Sequence, residues 1–398
     1  MKNEKNRLKR LVAVIIVFVM VAVMFTGCSS TKEIVDTNKQ GEGVDVTQKE
    51  PSAPPTAADS DVTIAPEEAT VVTEKGDPIK IVNTFEGTCQ VQTQLAYLLG
   101  FYEAEGLAEG VDYEFVDAGS ETGAVLISTD KADLVIGLIA GMLQPLDNGL
   151  EAKAILGLHT GCITLVALGD SEIKSTADLK STKIGVTQLS SSNHIAALRA
   201  LSFEGLSADD VEFIVYDSDT IQQALLNGAV DVIALSDYKA KIMERDEGVK
   251  IIFDTSTDVR LKDENCCVLF ARNSIIEESP LRLAKISTAI QKASIWISEN
   301  PELAAEIQVA QGYALGEAEV NKQLLLSYQF PTSLTSLKEA VHRNFNDAKT
   351  LGLLKEDTDE AVLAESSYIF LDGVADGLDI TNIKAPKDPN QFLTVKGK

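Results

Sequence analysis

Positive charge is scarce in this chain: 398 residues carry 35 Lys and Arg against 60 Asp and Glu, a formal net charge of -25 at pH 7. A surface this acidic is repelled by phosphate backbones and by anionic headgroups, which excludes nucleic-acid partners. Long hydrophobic runs are lacking too. The run at 11–25 falls short of the roughly 20 apolar residues that a membrane crossing needs. No GxxxxGK[ST] loop is present to cradle a nucleotide phosphate, so any ATPase that works with this chain is a separate subunit. There is no CxxC or HxxxH pair to impose a metal geometry, and the chain has only 3 His and 5 Cys. With 45% hydrophobic residues, the body builds real cores, and its length suggests about two globular units.

The beginning of the chain reads as an export signal. A basic leader precedes the short apolar run, which ends at Thr26, Gly27 and Cys28. The ending Phe25-Thr26-Gly27-Cys28 resembles a bacterial lipobox, with Phe25 where Leu is usual. That resemblance implies a signal peptide over 1–27, lipidation of Cys28 and an extracytoplasmic, membrane-anchored protein. Residues 28–77 are rich in Thr, Lys, Glu, Asp, Gln, Ser and Pro, and such a stretch cannot bury enough surface to offset its conformational entropy. It reads as a disordered tether with a reach of roughly 40 Å.

From residue 78 strand-like and helix-like segments alternate. Runs at 78–84, 112–117, 132–138, 152–158 and 163–168 read as strands, with a first helix over 90–105. A second series follows: strands at 183–186, 211–216, 230–235 and 249–254, helices at 193–204 and 220–226. From 280 to about 354 the pattern is almost wholly helical. This is an α/β pattern with a largely parallel, helix-covered sheet in each half. The strands at 163–168 and 267–271 read as crossings, giving lobe one at 78–168, lobe two at 169–266, and a return strand with C-terminal helices and tail at 267–398. Two lobes joined by a double crossing form a hinge with a cleft at the carboxyl ends of the strands.

Four fragments carry a resemblance. LAYLLGFYEAEGL at 95–107, STADLKSTKIGV at 175–186, ALLNGAVDV at 224–232 and WISENPE at 296–302 are similar, in this order, to motifs of the nitrate, sulfonate and taurine group of ABC-transporter solute-binding proteins. Read physically, Asn227-Gly228 suits a helix end and Asp178 a helix start, so each fragment also serves fold maintenance. The resemblance implies a type II periplasmic-binding-protein fold, an ABC permease as partner and capture of a small solute, with no cofactor and no catalysis.

Solute contacts belong to the loops at strand ends: 85–90, 138–141 and 158–162 in lobe one, 188–194 and 236–238 in lobe two. Candidates are Cys89, Gln90, Leu138, His159, Cys162, Ser190, Ser191, Ser192, His194, Asp237 and Tyr238. Ser190 to Ser192 follow a strand and open a helix, which sets hydroxyls and free amides at the positive end of a dipole and suits a sulfonate, nitrate or other anion. One of these serines is also an ordinary cap. Asp237 suits an amine-bearing solute such as taurine, or starts the helix after it; Phe85, Tyr238 and Phe270 are aromatics for a thiamine-pyrimidine precursor, or core.

Cys89, Cys162, Cys266 and Cys267 all fall beside the expected cleft or hinge, with His159 and His194 near. They read as buried small hydrophobes or a disulfide, or else as a soft site for a metal, a metal chelate, heme or a thiol-containing solute. An enzyme of cofactor synthesis, with Cys162 as nucleophile and a histidine as base, is the reading from another class. A membrane-tethered sensor is a third, which this sequence does not separate from transport.

Overall fold

The first sheet takes β1 (Ile79–Asn83), β2 (Tyr113–Asp117), β3 (Leu134–Leu138), β4 (Ala152–Thr160) and β10 (Asn265–Arg272); the second takes β5 (Ile163–Leu168), β6 (Lys183–Val186), β7 (Glu212–Val215), β8 (Val232–Ser236) and β9 (Val249–Asp254). Strand order is β2-β1-β3-β10-β4 in one and β7-β6-β8-β5-β9 in the other. The computed structural model describes residues 74, 76–83, 87–119, 121–377 and 380–394. The leader, Cys28, nearly all of the expected tether and Phe85 lie outside the described residues.

Each sheet has four strands running one way and one running against them. In the first sheet the reversed strand is β10, antiparallel to β3 and β4. In the second it is β5, antiparallel to β8 and β9. These two are the strands by which the chain enters one sheet after leaving the other. The sequence reading kept 163–168 in lobe one. Its pairing places β5 in the second sheet, so the first crossing falls at Gly161 and Cys162, not at 168. An apolar run reports that a strand exists but not which sheet pairs with it, and here hydrogen bonding to β8 decides.

Alternation along the strands builds a core on either face of each sheet. Ile79, Ile81, Leu134 and Ile136 join one core of the first sheet, while Val82, Val135 and Phe270 join the other. In the second sheet Leu165, Ile184 and Val186 separate in the same way from Val166, Ile233 and Leu235. The segment expected as one helix over 90–105 is two, Gln92–Leu98 and Phe101–Ala104. Gly100 divides them at φ 82°, a left-handed conformation that ends a helix and that glycine adopts without steric cost. The helix Pro280–Glu299 begins with proline at its first position and stops before Pro301, as the missing N–H and the ring of proline require. It packs on both short helices and on β4.

The two lobes are also clamped by charge. Arg199, in the helix Ser192–Phe203, meets Glu264 at 2.7 Å and Asp347 of the helix Leu334–Thr350 at 2.8 Å. The Arg199 and Glu264 side chains are less than a tenth exposed, so the pair is nearly dry.

Candidate functional site

At the carboxyl ends of β1, β2, β3 and β6 lies a cavity of about 910 Å³. The first lobe supplies Asn83, Gln90, Asp117, Leu138, Gly141 and Gln144, and the second supplies Gln188 to Ser192. Among the described residues no Lys or Arg lines it, while Asp117 and Glu121 do. Glu121 is held by Lys131 at 2.7 Å.

The serine loop has a defined internal structure. Ser191 is the cap of the helix Ser192–Phe203: its hydroxyl accepts from the His194 amide at 3.3 Å and donates to the Gln188 carbonyl at 2.8 Å. Ser190 sits at φ 64°, left-handed for a residue with a side chain, and its amide donates to His194 Nδ1 at 2.9 Å. An acceptor role at Nδ1 puts the imidazole proton on Nε2 and requires a neutral ring. Burial pushes the His194 pKa down, in the same direction, and the ring edge rests on Phe213 with centroids 4.5 Å apart. His194 therefore shapes the loop from behind and does not line the cavity.

His159 and the cysteines lie in a separate place. Cys89, His159, Cys162 and Cys267 bring their sulfur and nitrogen atoms within 4.8 Å of one another. The four described cysteines are all free thiols. Cys162 Sγ stands 3.5 Å from Cys267 Sγ and 3.9 Å from each nitrogen of His159. β10 pairs Cys267 with Leu138 on one side and His159 on the other, and irregular register on both sides of Cys267 leaves Cys266 out of the ladder. Cys162 sits at φ 96° and follows Gly161 at φ 93°. For cysteine that is a strained backbone, held by the crossing between the sheets. A Cβ on Gly161 would stand 2.8 Å from Ser256 Cβ and 2.9 Å from the Tyr328 ring, so only glycine fits.

An aromatic and acidic shell closes around the cluster. The Tyr328 ring lies on His159 with centroids 4.8 Å apart, and Phe330 is at 6.0 Å. Tyr328 Oη donates to Asp237 Oδ2 at 2.6 Å, and the Asp237 amide donates to the Cys162 carbonyl at 2.9 Å. Burial, aided by the charge of Cys89, pushes the Asp237 carboxyl up to about 7, while the Tyr328 hydrogen bond opposes the shift. Burial also raises the Cys162 thiol. Cys89 goes the other way: hydrogen bonds from Cys162 and Cys267 hold its sulfur well below the usual thiol range. Burial disfavours charge on His159, yet the Cys89 sulfur outweighs it and the net shift is upward.

The sequence candidates thus divide. Gln90, Leu138, Ser190, Ser191 and Ser192 line the cavity, whereas Cys89, His159 and Cys162 enter the sulfur cluster. Asp237 is buried in the shell of the cluster, away from the cavity wall. Tyr238 is half-buried against the core with its hydroxyl beside Gly316, and Phe270 is core. Sequence reading missed Asn83, Asp117 and Gln144 in the cavity and Tyr328 in the cluster. Asn83 and Asp117 carried a signal, each being the polar end of an apolar strand; Tyr328 carried none, since it is placed by long-range contacts, the Thr160–Gln329 pairing and its bond to Asp237.

The family model described as "NMT1/THI5 like" matches residues 92–304. A binding protein of Brucella abortus is 29% identical over 135 residues, 34% of this chain and 42% of that protein, so the match spans less than half the relative's length. The aliphatic sulphonate binding protein of Escherichia coli superposes with a TM-score of 0.59 at 16% identity, over 79% of this chain and 98% of that one. The nitrate-binding protein of Synechocystis gives 0.56 at 13% identity, over 73% and 85%. A desulfurization enzyme, DSZB, gives 0.53 at 16%, over 73% and 99%. The two-lobed arrangement is the type II periplasmic-binding-protein fold.

Proposed function

The chain belongs to the NMT1/THI5-like family, and from that premise we propose that it is the solute-binding component of an ABC importer, taking a small organic solute with an anionic end and an amine, of the aminoalkyl-sulfonate kind, between its lobes. The observation that carries this reading is the composition of the cavity wall. One end offers the serine-lined start of a 12-residue helix, a partial positive charge with amide and hydroxyl donors. The first lobe offers the Asp117 carboxylate, Glu121 being already paired with Lys131, and among the described residues no basic side chain lines the wall. A simple anion has nothing to gain from the Asp117 carboxylate, whereas an ammonium group does. Size argues the same way. At about 910 Å³ the cavity lies near the top of the roughly 300–1,000 Å³ range of small-molecule sites, far more than nitrate fills.

Capture without chemistry fits this wall. Cys162 and His159, the pair that a nucleophilic mechanism would use, are buried behind the cavity and out of a solute's reach. Of the aromatics named for a thiamine precursor, Phe270 is packed in the core and Tyr238 is half-buried against it, neither lining the cavity, while Phe85 lies outside the described residues. The solute-binding neighbours support delivery to a permease by a protein that works outside the cytoplasm, and the lipobox-like Phe25 to Cys28 supports a lipid anchor on Cys28. Among the described residues no helix is long and apolar enough to cross a membrane.

Calorimetric titration with taurine, longer aminoalkyl sulfonates, unsubstituted alkanesulfonates and nitrate tests the proposal. Aminoalkyl sulfonates bind best, and Asp117→Asn narrows their advantage over the unsubstituted compounds. Equal affinity for both classes in the parent protein, or none for any sulfonate, removes it. For the anchor, Cys28→Ala releases the protein from the membrane fraction; retention there argues against lipidation.

A further inference from the structure

We propose that Cys89, His159, Cys162 and Cys267 form a closed, four-coordinate site for a zinc-type divalent cation that pins together the two crossings of the hinge. This does not rest on the identity of the solute, since none of the three buried ligands reaches the cavity.

Geometry comes first. In a tetrahedral zinc site, metal–sulfur bonds of about 2.3 Å set ligand sulfurs roughly 3.8 Å apart. Cys162 and Cys267 are 3.5 Å apart, His159 nitrogens are 3.9 Å from Cys162, and no pair in the set exceeds 4.8 Å. The histidine is prepared for the task. His159 Nδ1 lies 2.8 Å from the Thr160 carbonyl, which only accepts, so Nδ1 carries the proton and Nε2 keeps its lone pair for a metal. The Tyr328 and Phe330 rings dry the site and fix the imidazole. The ligands come from four segments: the loop before the first helix, the end of β4, the first crossing and the start of β10. The strained φ of Cys162 is the backbone cost of aiming its sulfur inward.

A close array of three uncombined thiols is also hard to reconcile with an exported protein, where thiols at this spacing oxidise. Metal binding resolves that. The three cysteines release their protons to solvent, and three thiolates with a neutral imidazole around a divalent cation leave a net charge of -1. Thiolate and imidazole donors in a tetrahedral set select zinc over harder cations. The half-buried Cys89, beside Gln90 at the cavity wall, is the side from which the ion enters. Cys266, whose thiol also contacts Cys162 and Cys267, lies outside the mutually close set and is assigned no ligand role.

The test is a titration of the reduced full chain with Co²⁺ under anaerobic conditions, followed by displacement with Zn²⁺. One Co²⁺ binds per chain and gives thiolate-to-cobalt charge-transfer bands with the intense visible bands of a tetrahedral ion; Zn²⁺ abolishes them. Cys162→Ser and Cys267→Ser each weaken binding by more than the roughly 10- to 100-fold that loss of an outer-shell partner costs. Cys266→Ser leaves the spectrum unchanged. Because the spectrum is read on the unsubstituted protein, a misfolded variant does not decide the matter. Absence of charge-transfer bands, loss of them in Cys266→Ser alone, or a Cys162–Cys267 disulfide in the protein as isolated from cells overturns the proposal.

Discussion

Cys89 and Gln90 are neighbours in the chain, yet one belongs to the sulfur cluster and the other to the cavity wall, and the two regions they enter are built on opposite principles. The cavity is assembled from amides, hydroxyls and carboxylates at strand ends, with Asn83, Glu121 and Gln144 each tied to a different neighbour, Gln94, Lys131 and the Leu353 carbonyl. The cluster is assembled from groups at the crossings of the sheets, each packed against another: sulfur on imidazole, imidazole on Tyr328, Tyr328 on Asp237, and Asp237 back on the Cys162 carbonyl. Substitution should therefore cost stability in the cluster and affinity in the cavity.

His159→Ala makes the sharpest test of that division. The ring is wholly buried between Tyr328 and the thiols, and removing it opens a cavity at the crossing of the sheets. By comparison with other large-to-small core changes, a loss of about 3–5 kcal/mol is expected in denaturant unfolding. A loss below about 1 kcal/mol would show that the cluster carries no more of the fold than a surface loop does. Tyr328→Phe comes next. It leaves the buried Asp237 carboxyl without its hydroxyl donor, for about 1–3 kcal/mol, and solute affinity is unchanged within twofold. A large loss of affinity there would join the two regions that the structure separates.

These regions also differ in how far the sequence exposed them. Strand and helix positions were readable because apolar periodicity is local, and the serine loop was readable because a strand end followed by Ser-Ser-Ser marks a helix start. What the sequence could not supply was contact across distance. That Cys267 lies beside His159 and Cys162 depends on β10 inserting between β3 and β4, with irregular register to either side of Cys267. That His194 turns from the opposite cysteines to its own loop depends on one hydrogen bond to Ser190. The β5 strand was assigned to the wrong sheet for the same reason, since its pairing partners lie roughly 70 and 90 residues further on.

His194 extends the comparison to pH. Burial lowers its pKa in the folded state, so below the unfolded value of about 6.5 the unfolded chain takes up the proton first. The contribution is fully present above about pH 6.5 and is lost as pH falls toward the depressed folded value. Protonation also removes the acceptor of the Ser190 amide, so solute affinity weakens over the same acid window. His194→Gln, which cannot titrate, flattens both profiles. An unchanged acid limb of binding in that variant would show that the loop keeps its shape without the imidazole. Ser191→Ala is a smaller change on the same loop: loss of one cap, about 1 kcal/mol in unfolding.

The smallest expected effect on stability falls at the point where the lobes approach each other across the cavity. Gly141 lies in the helix Ile139–Asp147 of the first lobe, and a Cβ there would stand 2.8 Å from Ser192 Oγ of the second. Gly141→Ala improves the helix by up to about 1 kcal/mol, and moving one serine hydroxyl is cheap, so unfolding should change by less than that. The displaced hydroxyl is one of the donors offered to the solute, and the added methyl holds the lobes apart. Affinity should fall about tenfold while the unfolding midpoint stays put, a difference of about 1.4 kcal/mol confined to binding. Equal affinity for the variant and the parent would mean that the lobes do not need to approach at Gly141 when the solute is held, and that closure turns on the crossings alone.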